Sequence, residues 1–179
     1  ARIEAAVAAS DAAIAAAQRS GLPASTPLTN RTFSGIQRLV TPFKSISAID
    51  AIIDGGNYVM QQPGGENGGV SVYRAITTDV TDLNYLEEAV TIQIDSFARK
   101  LRRQIKPLLG STILDEAFFD MFSVQQQAVI YDTVEVKKEL KSAKLLEVKE
   151  SPTRADTFLA SYQVSPYFSA AKGDITIYI

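Results

Sequence analysis

Few side chains in this 179-residue sequence are suited to catalysis, because histidine and cysteine are both absent. The chain therefore has no imidazole base, no thiolate nucleophile and no disulfide. Every His-dependent triad and every zinc motif that contains His or Cys is excluded as well. The side chains that remain for acid/base work or metal binding are mainly carboxylates.

The carboxylates include three close pairs, and Asp50 with Asp54 is the pair best spaced for joint chemistry. At positions i and i+4 they would share one face of a helix, where two carboxylates can divide acid and base roles or hold Mg²⁺. The other pairs are Asp79 with Asp82 and Glu87 with Glu88. Such residues equally suit helix caps and helix starts. A carboxylate-based hydrolase is therefore an alternative, while the main expectation is no enzyme, no metal and no cofactor.

A glycine-rich loop, PGGENGG from Pro63 to Gly69, could suggest phosphate binding. No GK[ST] follows it, and its spacing does not fit a dinucleotide fingerprint. It also precedes a predicted strand instead of opening a helix, so it lacks the helix N-terminus that binds phosphate. The loop is interpreted as a surface turn.

The strongest local charge signal is a basic cluster at the end of the longest predicted helix. It complements the helix dipole and can be a solvated face. It can also bind an acidic protein surface, and both interpretations stay open. Nucleic acid is not an expected partner, because the formal net charge is −2 and no further basic stripe is present. The cluster consists of Arg99, Lys100, Arg102, Arg103 and Lys106.

The last six residues, DITIYI, are the other candidate site. Ile175, Ile177 and Ile179 alternate with Thr176 and Tyr178, which is the period of a β-strand. A terminal strand behind the small and polar spacer SAAKGD could close the domain's own sheet or pair with a neighbouring subunit. The residues leave both possibilities open.

Five helices are predicted to carry or flank these candidates. The clearest has apolar residues spaced by three or four, with Asp79 or Asp82 as its cap and a basic end. A short helix has Ser45 or Ser47 as its cap and ends at a Gly-Gly pair. The predicted ranges are Ile3–Arg19, a segment ending at Asp54, Leu83–Leu108, Ile113–Phe122 and Val124–Ala143.

Strands are predicted at Val70–Ile76, Leu145–Glu150, Thr157–Phe168 and Asp174–Ile179. The fold class is therefore α+β, with long amphipathic helices packed on a small mixed β-sheet and a C-terminal β-strand arm. We expect three regions: an alanine-rich helix at 1–22, a core domain at 23–168 and a strand or arm at 169–179. No apolar run suits a membrane span.

Four segments of the sequence, taken in chain order, resemble segments in the C-terminal half of contractile tail sheath proteins. PLTNRTFSGIQRL is similar to the family's Pro/Asn connector, and SAIDAIIDGGNYVM to its short acidic helix, glycine turn and strand. GGVSVYRAITTDVTD resembles the strand that ends in Arg and a Thr-Thr pair. LNYLEEAVTIQIDSFARKLRRQIKPLLG resembles the long helix with its basic end. The resemblance covers the chain from about Pro23 to Ile179.

The resemblance implies a structural subunit of phage tails or related injection systems. Such subunits form stacked rings, usually sixfold, around an inner tube, and contraction drives the tube through a target envelope. The implied partners are other copies, the tube protein, the baseplate and the tail terminator, with no membrane insertion. The implied location is the virion tail, assembled in the cytoplasm of a host bacterium.

On this chain, the resemblance makes 175–179 the candidate inter-subunit strand and the basic cluster the candidate tube or subunit contact. A complete sheath also has an N-terminal arm and outer domains, which could precede Ala1. A different tail or baseplate component is the second alternative. A tube protein is disfavoured, because those proteins are dominated by β-structure.

Overall fold

The computed structural model describes residues 13–36, 38–39, 45–63, 68–82 and 86–168. They form two compact units. The first contains the described residues up to Ala89 together with Phe168, and the second is Val90–Tyr167. Both units combine helices with strands, which confirms the α+β class. None of the described helices is long and apolar enough to cross a bilayer.

In the first unit, residues 13–20 are helical, as predicted, and a short helix and a strand pair follow. Helix α1 (Ile46–Asp54) begins where the Ser45 hydroxyl accepts the Ala48 N–H at 3.3 Å, and Gly55 follows its last residue. This confirms the predicted serine cap and glycine stop. Strands β1 (Val59–Gln61) and β2 (Ser71–Arg74) are antiparallel.

Strand β2 is buried on both faces, although its sequence alternates. Val70 and Val72 are fully buried against Leu28 and Phe33, while Ser71 is also buried. A second small core joins α1 to β1 through Ile49, Ile53, Val59 and Ile76. The glycine-rich loop connects β1 to β2, and residues 64–67 within it lie outside the described part.

The second unit is built on two helices and a β-hairpin. Helix α2 spans Glu88–Ile105, and all of it except the first two residues belongs to this unit. Helix α3 spans Glu116–Tyr131 and is followed directly by one π-helical turn, Asp132–Val136. Strands β3 (Ser142–Glu150) and β4 (Phe158–Ser165) are antiparallel, with a bulge between Leu145 and Glu147. The predicted turn at SPTRAD is confirmed. The described strands thus form two separate antiparallel pairs, and an isolated bridge joins Thr32 to Ser71 of β2.

The long helix α2 begins at Glu88. Just before it, the backbone is used for pairing: the Thr77 N–H donates to Leu86 O at 2.8 Å, and Glu87 forms a bridge with Ile76. Residues 83–85, where the predicted helix starts, lie outside the described residues. Asp79 accepts the N–H and hydroxyl of Thr81 instead of capping α2.

The predictions of two helices around Ser123 and of helix as far as Ala143 are wrong. Ser123 lies inside α3, because Asp115 caps a run that stays apolar on both sides of the serine. The helical run ends at Val136, two residues before Lys138, whose φ of 50° is left-handed, and β3 starts at Ser142. Its charged sequence KKELKSAK is therefore a turn followed by strand.

Candidate assembly surfaces

Helix α2 packs one apolar face into the core of the second unit. Phe97 and Leu101 are buried with Ile130 and Leu140, and the ring of Tyr162 meets Phe97 edge-on at 6.1 Å between centroids. This core fixes the rotation of α2 about its axis, and so determines which of its charged side chains reach solvent.

The five predicted basic residues of α2 do not act as one group. Lys100 is partly buried, and its Nζ forms an ion pair with Glu139, so it has a structural partner inside the second unit. The other four side chains are exposed at positions i, i+3, i+4 and i+7, which lie on one helix face. Lys106 is one residue past the end of α2, but its N–H still donates to Arg102 O at 3.1 Å and so continues the helical pattern. None of the four forms an ion pair with a described residue. This basic face consists of Arg99, Arg102, Arg103 and Lys106.

Helix α3 also buries one face, and aromatic rings dominate that contact. Phe158 of β4 meets Phe118 at 5.2 Å and Phe122 at 4.9 Å between ring centroids, both edge-to-face. Gln126 is fully buried on the same face, where its Oε1 accepts the Tyr162 hydroxyl at 2.9 Å. Burial raises the pKa of Tyr162 to about 12.

The opposite face of α3 is apolar but exposed. Val124 is 70% exposed and Tyr131 is 65% exposed, and the spacing along this face is four, three, four and three. A helix with a second apolar stripe opposite its buried face is typical of one that also packs against another molecule. Sequence reasoning missed this face because it divided the helix at Ser123; the spacing would have revealed it in one continuous helix. This outer stripe consists of Ala117, Met121, Val124, Ala128 and Tyr131.

The charges around the outer stripe are all negative. Residues 110–136 contain five carboxylates and no Lys or Arg. Asp115 caps α3 and Asp132 pairs with Lys137 at 2.7 Å, which leaves Glu116, Asp120 and Glu135 exposed. Those three have no ion pair within the described residues. The second unit thus displays a basic helix face and an acidic helix face.

The β3–β4 hairpin is the third exposed feature. As far as the chain is described, its sheet has two strands, so the outer backbone edge of each has no strand partner there. The predicted linking strand, Ile175, Thr176, Ile177, Tyr178 and Ile179, lies outside the described residues. The hairpin therefore supplies edges for strand addition, and the partner strand stays a prediction.

A groove of about 550 Å³ lies between α2, α3 and β4. Leu101, Ile105, Phe122 and Phe158 make most of its lining apolar. Arg102 and Asp156 also line it. Such a lining suits apolar contact.

The carboxylate pairs are not organised as an active site. Asp50 and Asp54 are both exposed on α1, and the Tyr73 hydroxyl donates to Asp50 Oδ1 at 3.4 Å. Among the described residues, no group of three or more acidic side chains could hold a metal ion.

Glu87 and Glu88 instead belong to the polar interior of the first unit. Glu87 is buried, 3.7 Å from Arg74, and Glu88 lies 3.9 Å from Arg19. Burial raises the pKa of Glu88, although Arg19 acts in the opposite direction. Burial and the charge of Glu88 also raise the pKa of Tyr58.

Solved structures show which proteins have this fold. The chain is similar to a chain of the anti-feeding prophage (AFP) baseplate, with a TM-score of 0.71 and 11% identity. It is also similar to the AFP helical sheath in the contracted state, with a TM-score of 0.69 and 11% identity. Each match covers 87% of this chain and 45% of the other, so this chain spans less than half of its neighbours' length.

The predicted resemblance to contractile tail sheath proteins is therefore confirmed at the level of the fold. No family model matches the sequence, and the curated proteins contain no significant match to it.

Proposed function

We propose that this chain is the ring-building part of a contractile tail sheath subunit. It polymerises as stacked rings around an inner tube and contracts to drive that tube through a target envelope. The observation that carries the proposal is the match of 87% of the chain to a contracted helical sheath. The absence of His and Cys and the exposed carboxylates agree with a structural role.

The first link between copies joins the basic face of α2 to the outer stripe of α3 on the next copy. The basic face has four exposed cations, and the outer stripe is bordered by exposed anions. Two different surfaces that attract each other give heterologous association, which produces closed rings or open helical filaments. A surface that joined only to itself would stop at a dimer.

The second link is strand exchange. The open edges of the β3–β4 hairpin accept residues 175–179 of a neighbouring copy, because main-chain hydrogen bonds hold an added strand while two subunits rotate. In this scheme 1–22 is an N-terminal helix, 23–168 is the core domain and 169–179 is the arm.

The remaining partners are the tube protein, the baseplate and the tail terminator. The rings are hexameric, the tail belongs to a phage virion or an injection system, and the parts are assembled in the host cytoplasm. Nucleic acid is not a partner, because the basic face covers one helix side of a chain with net charge −2.

Negative-stain electron microscopy of the full chain tests the proposal. We expect rings or tubes, and we expect a chain that lacks residues 174–179 to stay folded but to form no long tubes. Circular dichroism of the shortened chain is the folding control. A full chain that stays monomeric at high concentration would contradict the proposed self-assembly, and long tubes from the shortened chain would contradict strand exchange.

A baseplate component is the second candidate, because the baseplate match has the TM-score of 0.71. A baseplate part is needed in one ring, whereas a sheath subunit must repeat along the tail. Single rings without tubes in the same micrographs would favour the baseplate.

A further inference from the structure

A buried amide holds the backbone at the end of the second unit. Gln93 of α2 is 1% exposed. Its Nε2 donates to Tyr167 O at 3.0 Å, and its Oε1 accepts the Tyr167 N–H at 2.8 Å. One side-chain amide thus binds both the backbone N–H and the backbone carbonyl of Tyr167, as a neighbouring strand does in a sheet.

The contact between Gln93 and Tyr167 lies directly after the end of strand β4. Strand β4 ends at Ser165, whose carbonyl accepts the Lys141 N–H at 3.0 Å. Pro166 follows and has no N–H to donate. Tyr167 is the last residue of the second unit, so Gln93 binds the backbone where the strand pairing has ended.

We propose that Gln93 is a positioning residue that anchors the chain where it leaves the second unit. Without it, a pull on the chain beyond Phe168 would open the β3–β4 pairing from its end, one hydrogen bond at a time. With it, the same pull is transferred at Tyr167 to α2, an 18-residue helix packed through Phe97 and Leu101. That mechanical consequence rests on the proposed function, in which this part of the chain leads to a linking arm, whereas the anchor itself does not.

A second buried glutamine provides a matched control. Gln126 is also fully buried in this unit, but its Oε1 contacts the side chain of Tyr162 and not the backbone. Methionine has a similar length and no amide, so Gln93→Met and Gln126→Met each remove a buried amide with little change of volume. Of the two, only Gln93→Met releases Tyr167.

Hydrogen exchange on the unassembled chain tests the anchor independently of polymer formation. We expect Gln93→Met to speed exchange of the Tyr167 amide by about tenfold more than Gln126→Met does, because that N–H loses its acceptor. In the wild-type chain, the Tyr167 amide should be protected like the amides of β4. Equal exchange at Tyr167 in the two variants would overturn the anchor, and so would an unprotected Tyr167 amide in the wild-type chain, even if Gln93→Met fails to fold.

Discussion

Helices α2 and α3 bury similar faces on the same hairpin, yet their outer faces differ. The inner face of α2 contributes Phe97 and Leu101, and that of α3 contributes Phe118 and Phe122. Outside, α2 is cationic, while α3 is apolar with carboxylates at its borders. The inner faces explain why the unit folds. The outer faces are not needed for that core, so their residue types point to contacts with other molecules.

The largest expected effect comes from charging the outer stripe of α3. Val124→Arg should abolish polymers, because the interface would then bury an added cation against the four cations of the basic face. The monomer should keep its free energy of unfolding to within about 0.5 kcal/mol, since Val124 is exposed. Microscopy and urea denaturation measure the two results.

Val124→Leu is the matched control for this substitution. It keeps this exposed position of the outer stripe apolar. It should leave polymers intact, and loss of polymers in both variants would show that a change of shape at this position, and not added charge, is responsible.

The second effect separates the two kinds of cation on α2. Lys100→Gln should lower the free energy of unfolding by about 1–3 kcal/mol, because the partly buried Glu139 loses its partner. Arg99→Gln, on the exposed basic face, should change it by less than about 0.5 kcal/mol. Equal losses in urea denaturation would mean that the basic face is also structural.

The third effect concerns the inner face of α3. Tyr162→Phe should cost about 1–2 kcal/mol, because the buried Oε1 of Gln126 loses the hydroxyl that it accepts. Polymers should still form, since this contact lies inside the unit. Thermal unfolding measures the cost, and an unchanged melting temperature would exclude a net contribution from this hydrogen bond.

The smallest effect lies at the first residue of α2. The pKa of Glu88 is raised in the folded chain, so folding favours its protonated form. Stability from this group is therefore present at acidic pH and is lost as pH rises through the raised pKa. Glu88→Gln should gain in melting temperature relative to wild type between pH 4 and pH 7. A melting temperature below that of the wild-type chain over this pH range would contradict a raised pKa of Glu88.

Much of the fold follows from local sequence signals. The serine cap and glycine stop of α1, the apolar spacing of α2 and the turn at SPTRAD all correspond to observed features. These signals are local, because each depends on residues within one or two turns. The start of α2 could not be read in the same way, because Leu86 and Glu87 pair with residues some ten positions away.

The candidate surfaces were predictable in part. The residue types of the basic cluster were visible, but only the packing of Phe97 and Leu101 separates Lys100 from the other four. Polar residues give no sequence sign of burial, so Gln93 and Gln126 could not be foreseen as core residues. The outer stripe needed one correct judgement, that α3 continues through Ser123.

A charge exchange between the two outer faces tests the central claim most directly. Arg99→Glu with Arg103→Glu should block polymers, and so should Asp120→Arg with Glu135→Arg, two positions outside the first turn of α3. The chain that carries all four substitutions restores opposite charges across the interface. By electron microscopy we expect it to form polymers again; four-fold variants that stay monomeric although folded would contradict the pairing of α2 with α3.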